Sequence, residues 1–254
     1  MLWARRACAT ALALAAMSGP THVAGMAREA TEMDDTASAR LTLASLSDWP
    51  GPRAQEYLPE AARGDTRRGG NGVRAGNGCH GSIALAVLTP PYTGVTLDSQ
   101  PTLYWFLGAD VGAPIEVELY GEDAIEPLLT ANYPSGLDAG IHALALADQG
   151  GDLELDVEYE WSVAVICDPD DPAGDIVSVG TIRRIVPPPG LERQLDGASL
   201  EERAQLLVEY GIWYDALQAL AILIERHADR EQWRSERARL LEQVGLNEAA
   251  AYEP

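Results

Sequence analysis

The chain reads as mainly β with an α-helical tail: an immunoglobulin/fibronectin III-like antiparallel β-sandwich followed by a short tetratricopeptide-like helical hairpin repeat. Three observations predict this. Apolar and polar residues alternate with period two from about Ser82 to Ile185, interrupted at short intervals by turn-forming Gly and Pro. Beyond Pro187-Pro188-Pro189-Gly190 the pattern becomes helical. Finally, Glu202 to Gly211 (ERAQLLVEYG) recurs 34 positions later (236 − 202) as Glu236 to Gly245 (ERARLLEQVG), with Ala216 matched by Ala250, and that shift is the length of one tetratricopeptide-type hairpin.

The elements follow in order. Residues 1–27 have the form of a signal peptide, because Arg5 and Arg6 precede an apolar stretch too short for a permanent span, and small residues before Met26 or Arg28 suit cleavage after Gly25 or Ala27. Residues 28–78 lack apolar periodicity and end in a Gly/Arg-rich stretch, so they read as a flexible lead-in. Residues 79–186 form the acidic β-sandwich. Its strands are expected at Ser82 to Leu88, Thr102 to Leu107, Ile115 to Tyr120, Ile125 to Ala131, Ile141 to Ala147, Asp152 to Trp161 and Ile176 to Ile185, with Pro and Gly between them. Asp152 to Trp161 alternates most cleanly: Leu153, Leu155, Val157, Tyr159 and Trp161 face one way and only acids face the other. Trp105 and Trp161 are read as core residues.

Residues 187–198 are a Pro-rich linker and residues 199–252 a helical repeat-like tail. Capping boxes at Ser199/Glu202 and Asp229/Gln232 start helices, predicting Leu200 to Tyr210, Trp213 to about His227, about Arg230 to Val244 and a last one from Asn247, with Gly211 and Gly245 in the turns. One and a half hairpins bury too little surface to stand alone, so the tail must lean on the sandwich, on another protein or on a second copy.

Composition excludes whole classes of chemistry. All 18 cationic residues are Arg, so the Walker A loop, Schiff-base enzymes and kinase sites lack the lysine they require. The net charge is −21, and 18 of the 39 acids lie between Gly81 and Ile182, where there is no Arg. Such a surface repels nucleic acid and anionic lipid; it suits a salty habitat or a cationic ligand. No apolar run after the signal is long enough for an integral membrane span.

Candidate residues are few. Once the signal is removed, Cys79 and Cys167 remain in a disulfide-permitting compartment, and a bridge between them is expected, worth roughly 3 to 5 kcal/mol in the chain-entropy description. A metal site adding His80 and His142 is the alternative. Asp168, Asp170, Asp171 and Asp175 form one dense carboxylate loop in which a calcium ion could sit, although the EF-hand spacing is not met; otherwise no cofactor is expected. Trp213 and Tyr214 follow a turn Gly and could either lock the hairpin or anchor a partner. No nucleophile elbow and no distinguished carboxylate pair is present.

These pieces resemble a bacterial exported family known as domain of unknown function 928. The motifs that carry the resemblance are a Gly/Arg-rich lead into Cys79, Pro101 to Phe106 (PTLYWF), Tyr159 to Pro169 (YEWSVAVICDP), Gly180 to Arg184 (GTIRR) and Gly211 to Leu217 (GIWYDAL). The resemblance implies an exported protein of two domain-like parts and brings no catalytic residues. The functional expectation is a periplasmic or secreted non-catalytic protein that binds a protein partner in the cell envelope. A calcium-dependent carbohydrate or surface-polymer binding module is the alternative, and a hydrolase the second.

Overall fold

A computed structural model describes residues 83–252 except 123 and 230; the predicted signal peptide, the lead-in and Cys79 fall outside the described residues. Eight strands form two sheets, and the C-terminal part is helical. The strands are β1 (Leu85–Val87), β2 (Gly94–Thr96), β3 (Thr102–Leu107), β4 (Ile115–Tyr120), β5 (Leu129–Tyr133), β6 (Gly140–Ala145), β7 (Glu158–Val165) and β8 (Ile176–Arg184). One sheet has the order β1-β3-β6 and the other β2-β8-β7-β4-β5.

β3 shows how the layers arise. All six of its residues are buried, because both of its faces are covered. Trp105 turns towards the other sheet, where its ring lies 5.8 Å from that of Tyr133 on β5. Phe106, on the opposite face, meets Tyr252 of the helical part at 5.3 Å. A strand buried on two faces reads as a continuous apolar run. β4 and β7 are instead buried on alternate residues: Ile115, Val117 and Leu119 face Trp105's side, as do Tyr159, Trp161, Val163 and Val165. Their register is pinned, since a slip of one residue would bring Glu116, Glu118 and Glu160 into the core.

The expected all-antiparallel arrangement needs a correction at β2, which pairs in parallel with β8. Three residues give no period to read, which is why β2 went unpredicted. Two further expectations shift. Of the strand expected at Ile125 to Ala131 only the end forms, since Pro127 cannot donate to a ladder and β5 begins at Leu129. Asp152 to Trp161 is not continuous either, because Asp156 adopts φ 61° and breaks the run before Glu158.

The helices are α1 (Leu146–Gln149), α2 (Leu191–Leu195), α3 (Leu200–Glu209), α4 (Trp213–Arg226), α5 (Glu231–Gln243) and α6 (Asn247–Ala251). α1 and α2 were not expected, α2 lying within the predicted linker. The capping box at α3 forms as predicted: Glu202 N–H donates to Ser199 Oγ at 3.2 Å and Ser199 N–H to the Glu202 carboxylate at 2.8 Å. The echo in sequence has an echo in backbone hydrogen bonds. Gly211 and Gly245 both take left-handed φ, 68° and 82°. Ile212 N–H bonds Leu207 and Leu246 N–H bonds Leu241, at 2.9 and 3.0 Å, and the following pairs, Ala216 to Ile212 and Ala250 to Leu246, are both 3.0 Å. The two turns are therefore built alike, 34 residues apart.

The close approach of β1 to β8 requires a residue without a side chain. A Cβ at Gly180 would stand 2.5 Å from Thr89 Cγ2 and 3.1 Å from Val87 Cγ2. Gly180→Ala is expected to lower stability by about 1 to 3 kcal/mol through overpacking, read as a shift in the urea midpoint at unchanged slope.

Candidate functional site

The most distinctive constellation is the junction where α4 enters the sheets. The left-handed turn at Gly211 and the buried Ile212 aim the first turn of α4 at the seam between β1, β2 and β8. Three consecutive side chains then bond to sheet residues. Trp213 Nε1 donates to the Leu88 carbonyl at 2.8 Å. The Tyr214 hydroxyl accepts from Trp161 Nε1 at 2.9 Å, and lies 3.0 Å from the Thr181 carbonyl and 3.1 Å from Thr89 Oγ1. Asp215 Oδ2 accepts from Thr96 Oγ1 at 2.6 Å and from Leu97 N–H at 3.1 Å. Thr89, Thr93, Thr96 and Thr181 are all buried and line this seam.

Burial pushes the Tyr214 phenol above its ordinary range and keeps it neutral. Burial also raises the Asp215 carboxyl, from 3.8 to about 6, outweighing the hydrogen bonds from Thr96 and Leu97; nearby Asp98 adds to the rise. The folded chain therefore binds a proton here more tightly than the unfolded one. Stability from this group rises as pH falls through about 6 and levels off below the unfolded value. From pH 7 to pH 5 the gain is roughly 1 kcal/mol. Asp215→Asn is expected to lose that increment, which thermal melts of both proteins across the same pH range would show.

Asp215 was not singled out from sequence, although it lies inside the Gly211 to Leu217 motif. The signal available there was three hydrogen-bonding side chains in succession after a turn Gly. Trp213 and Tyr214, which could lock the hairpin or anchor a partner, are both buried, with their polar atoms on Leu88, Trp161, Thr89 and Thr181, and they bond α4 to the sheets. The tail accordingly leans on this chain's own sheets, through α4 against β2 and β3 and through the Tyr252 hydroxyl, which donates to the Ala139 carbonyl at 3.0 Å.

In the carboxylate loop the side chains bond the loop's own backbone. Asp168 accepts from Asp170 N–H at 2.9 Å, Asp171 from Ala173 N–H at 3.2 Å and Asp175 from Cys167 N–H at 2.9 Å. The carboxylates shape their own turn and do not converge on a common point: among the described residues no group of three or more His, Cys, Asp or Glu is arranged to hold a metal ion. His142 stacks on Trp105 at 5.6 Å, its Nε2 2.8 Å from the Asp138 carbonyl. Cys167 is half-buried just beyond β7, packed against the core.

Of two surface features, the acidic sheet face was expected from the alternation around Glu160 and the aliphatic end was not. The outer side of the five-stranded sheet carries Glu116, Glu118 and Glu160 on adjoining strands. Their crowding is felt: Tyr120 is pushed up to about 12, chiefly by its 2.8 Å hydrogen bond to Glu118, and Glu116 is raised by burial and then by Glu118 and Asp175. At one end of the same sheet, large aliphatic side chains stand in solvent: Ile125 is 95% exposed, Leu128 62%, Val186 60% and Leu155 46%. Among the described residues no helix is long and apolar enough to cross a membrane.

Comparison with known proteins gives one match: the model of the family described as Domain of Unknown Function (DUF928) fits residues 63–254. No curated protein and no solved structure matches the chain.

Proposed function

We propose that this chain, which belongs to the family described as Domain of Unknown Function (DUF928), is an exported, non-catalytic protein that binds a protein partner in the cell envelope. The observation that carries the reading is the set of aliphatic side chains left in water at one end of the five-stranded sheet while most large apolar residues among the described residues are gathered into one core. Non-catalytic action is supported by the junction: Asp215, the carboxyl raised furthest towards neutrality, is held by Thr96 and Leu97 inside the chain and serves its cohesion. Export is supported by the form of residues 1–27 and by the disulfide bond expected at Cys167. Cys79 is the proposed partner of that bond.

The finer fold belongs to the same reading. Strand order β1-β3-β6 against β8-β7-β4-β5, with β2 added beside β8, supports an immunoglobulin-like sandwich. The matched turns at Gly211 and Gly245 support a tetratricopeptide-like hairpin and a half.

The test places a photoreactive residue in turn at exposed positions on the sheet end, the acidic sheet face and the helices of the full-length protein, in its native envelope. Reproducible protein adducts at one cluster of positions are expected. Failure of every position to give an adduct would refute partner binding.

A further inference from the structure

The aliphatic sheet end has a chemistry that selects its occupant. Register brings its four residues together. Tyr120, the last residue of β4, pairs with Glu160 of β7, and Leu119 with Leu129, so the 121–128 loop leaves the sheet beside the start of β7. Glu158 pairs with Arg183, and Leu155 bridges to Arg184, so Val186 leaves β8 at the same end. With strands about 4.8 Å apart, β8 and β4 are about 10 Å from each other across β7. Of the five large apolar side chains that are exposed among the described residues, four are therefore on one end of one sheet, and the fifth, Tyr252, belongs to the helical part.

The residues around them are acidic. Glu122 and Glu126 flank Ile125 in its loop, and Glu154 and Asp156 flank Leu155, all in a stretch from Gly81 to Ile182 that contains no Arg or Lys. Of the two cations that follow at the end of β8, Arg184 turns its Nη1 inward to the Leu153 carbonyl at 3.1 Å. An apolar cluster set among more acids than cations disfavours another copy of this chain, whose net charge is −21, and equally nucleic acid or anionic lipid.

We infer that the Ile125, Leu128, Leu155 and Val186 end of the sheet docks a basic, amphipathic segment of a partner protein, with aliphatic side chains seated on the four residues and Lys or Arg against Glu122, Glu126, Glu154 and Asp156. This rests on the partner-binding reading and assigns it a surface and a chemistry. Ile125 is the anchor, because a side chain that exposed adds nothing to the core and gains most from being covered.

The test uses the full-length protein and two labelled peptides of equal length and charge, an amphipathic Lys/Leu peptide and a Lys/Ser peptide. The Lys/Leu peptide is expected to bind about tenfold more tightly or better, a preference that Ile125→Ser with Leu128→Ser abolishes. Glu122→Gln with Glu126→Gln is expected to weaken both peptides. Because all four substituted side chains are exposed or in the loop, unchanged melting temperatures should confirm that the variants are folded. Equal binding of the two peptides to the unmodified protein overturns the inference, as does a preference that survives the serine variant. A dimer in sedimentation that the serine variant dissolves would give the surface to a second copy and overturn it as well. Any of these leaves the envelope crosslinking result standing, so the surface assignment and partner binding fail separately.

Discussion

Replacing Tyr214 with Ala is expected to remove about 3 to 5 kcal/mol of folding stability, measured by urea unfolding followed through tryptophan fluorescence. The side chain is fully buried and closes the seam between β1 and β8, so its loss leaves a cavity where two parts of the fold meet. It also leaves Trp161 Nε1 without its acceptor. Tyr214→Phe separates the two effects: volume is kept and only the hydroxyl goes, at a cost of about 1 to 3 kcal/mol for the buried groups left unpaired. Tyr214→Ala costing no more than Tyr214→Phe would show that the site collapses around the missing ring and that hydrogen bonding alone holds the junction.

The second large effect is expected from ending the chain after Pro189. The helices cover Tyr104 and Phe106 on the outer face of β3 and close the seam at Leu88 and Thr89. Without them the three-stranded sheet presents an apolar face to water, and the buried threonines of the seam lose Tyr214 and Asp215. The shortened protein is expected to aggregate, or to remain soluble only as a state that binds a hydrophobic dye and melts without cooperativity. A cooperative, monomeric unfolding transition in that fragment would show the sheets to be independent of the helices. The same dependence makes tail deletion unsuitable as a test of binding, since it removes the fold along with any surface.

Much of this arrangement was legible. β3 and β4 keep the bounds their patterns predict, because one is apolar after Thr102 and the other alternates from Ile115 to Leu119. The helical part is legible from a capping box and two turn glycines, which are local signals and survive into the structure unchanged. What escaped depended on contacts distant in sequence. β2 is defined by its pairing with β8, not by any pattern of its own. Ile125 has the residue type of a core strand, and only Pro127 beside it hints that it is left outside. Trp213 and Tyr214 look the same in sequence whether they meet a partner or their own sheet; their partners Leu88, Trp161 and Thr181 lie far off along the chain. Asp215 is an ordinary carboxylate until the seam closes over it.

The bonds from Trp213 and Tyr214 to Leu88 and Thr89 span 125 residues of chain. Synthesis delivers β1 well before α4, so the seam beside β1 stays open until the helical part has followed. Until that moment the sheets can collapse but cannot finish. The native state depends on that closure, and contacts so distant in sequence are of the kind that slow folding.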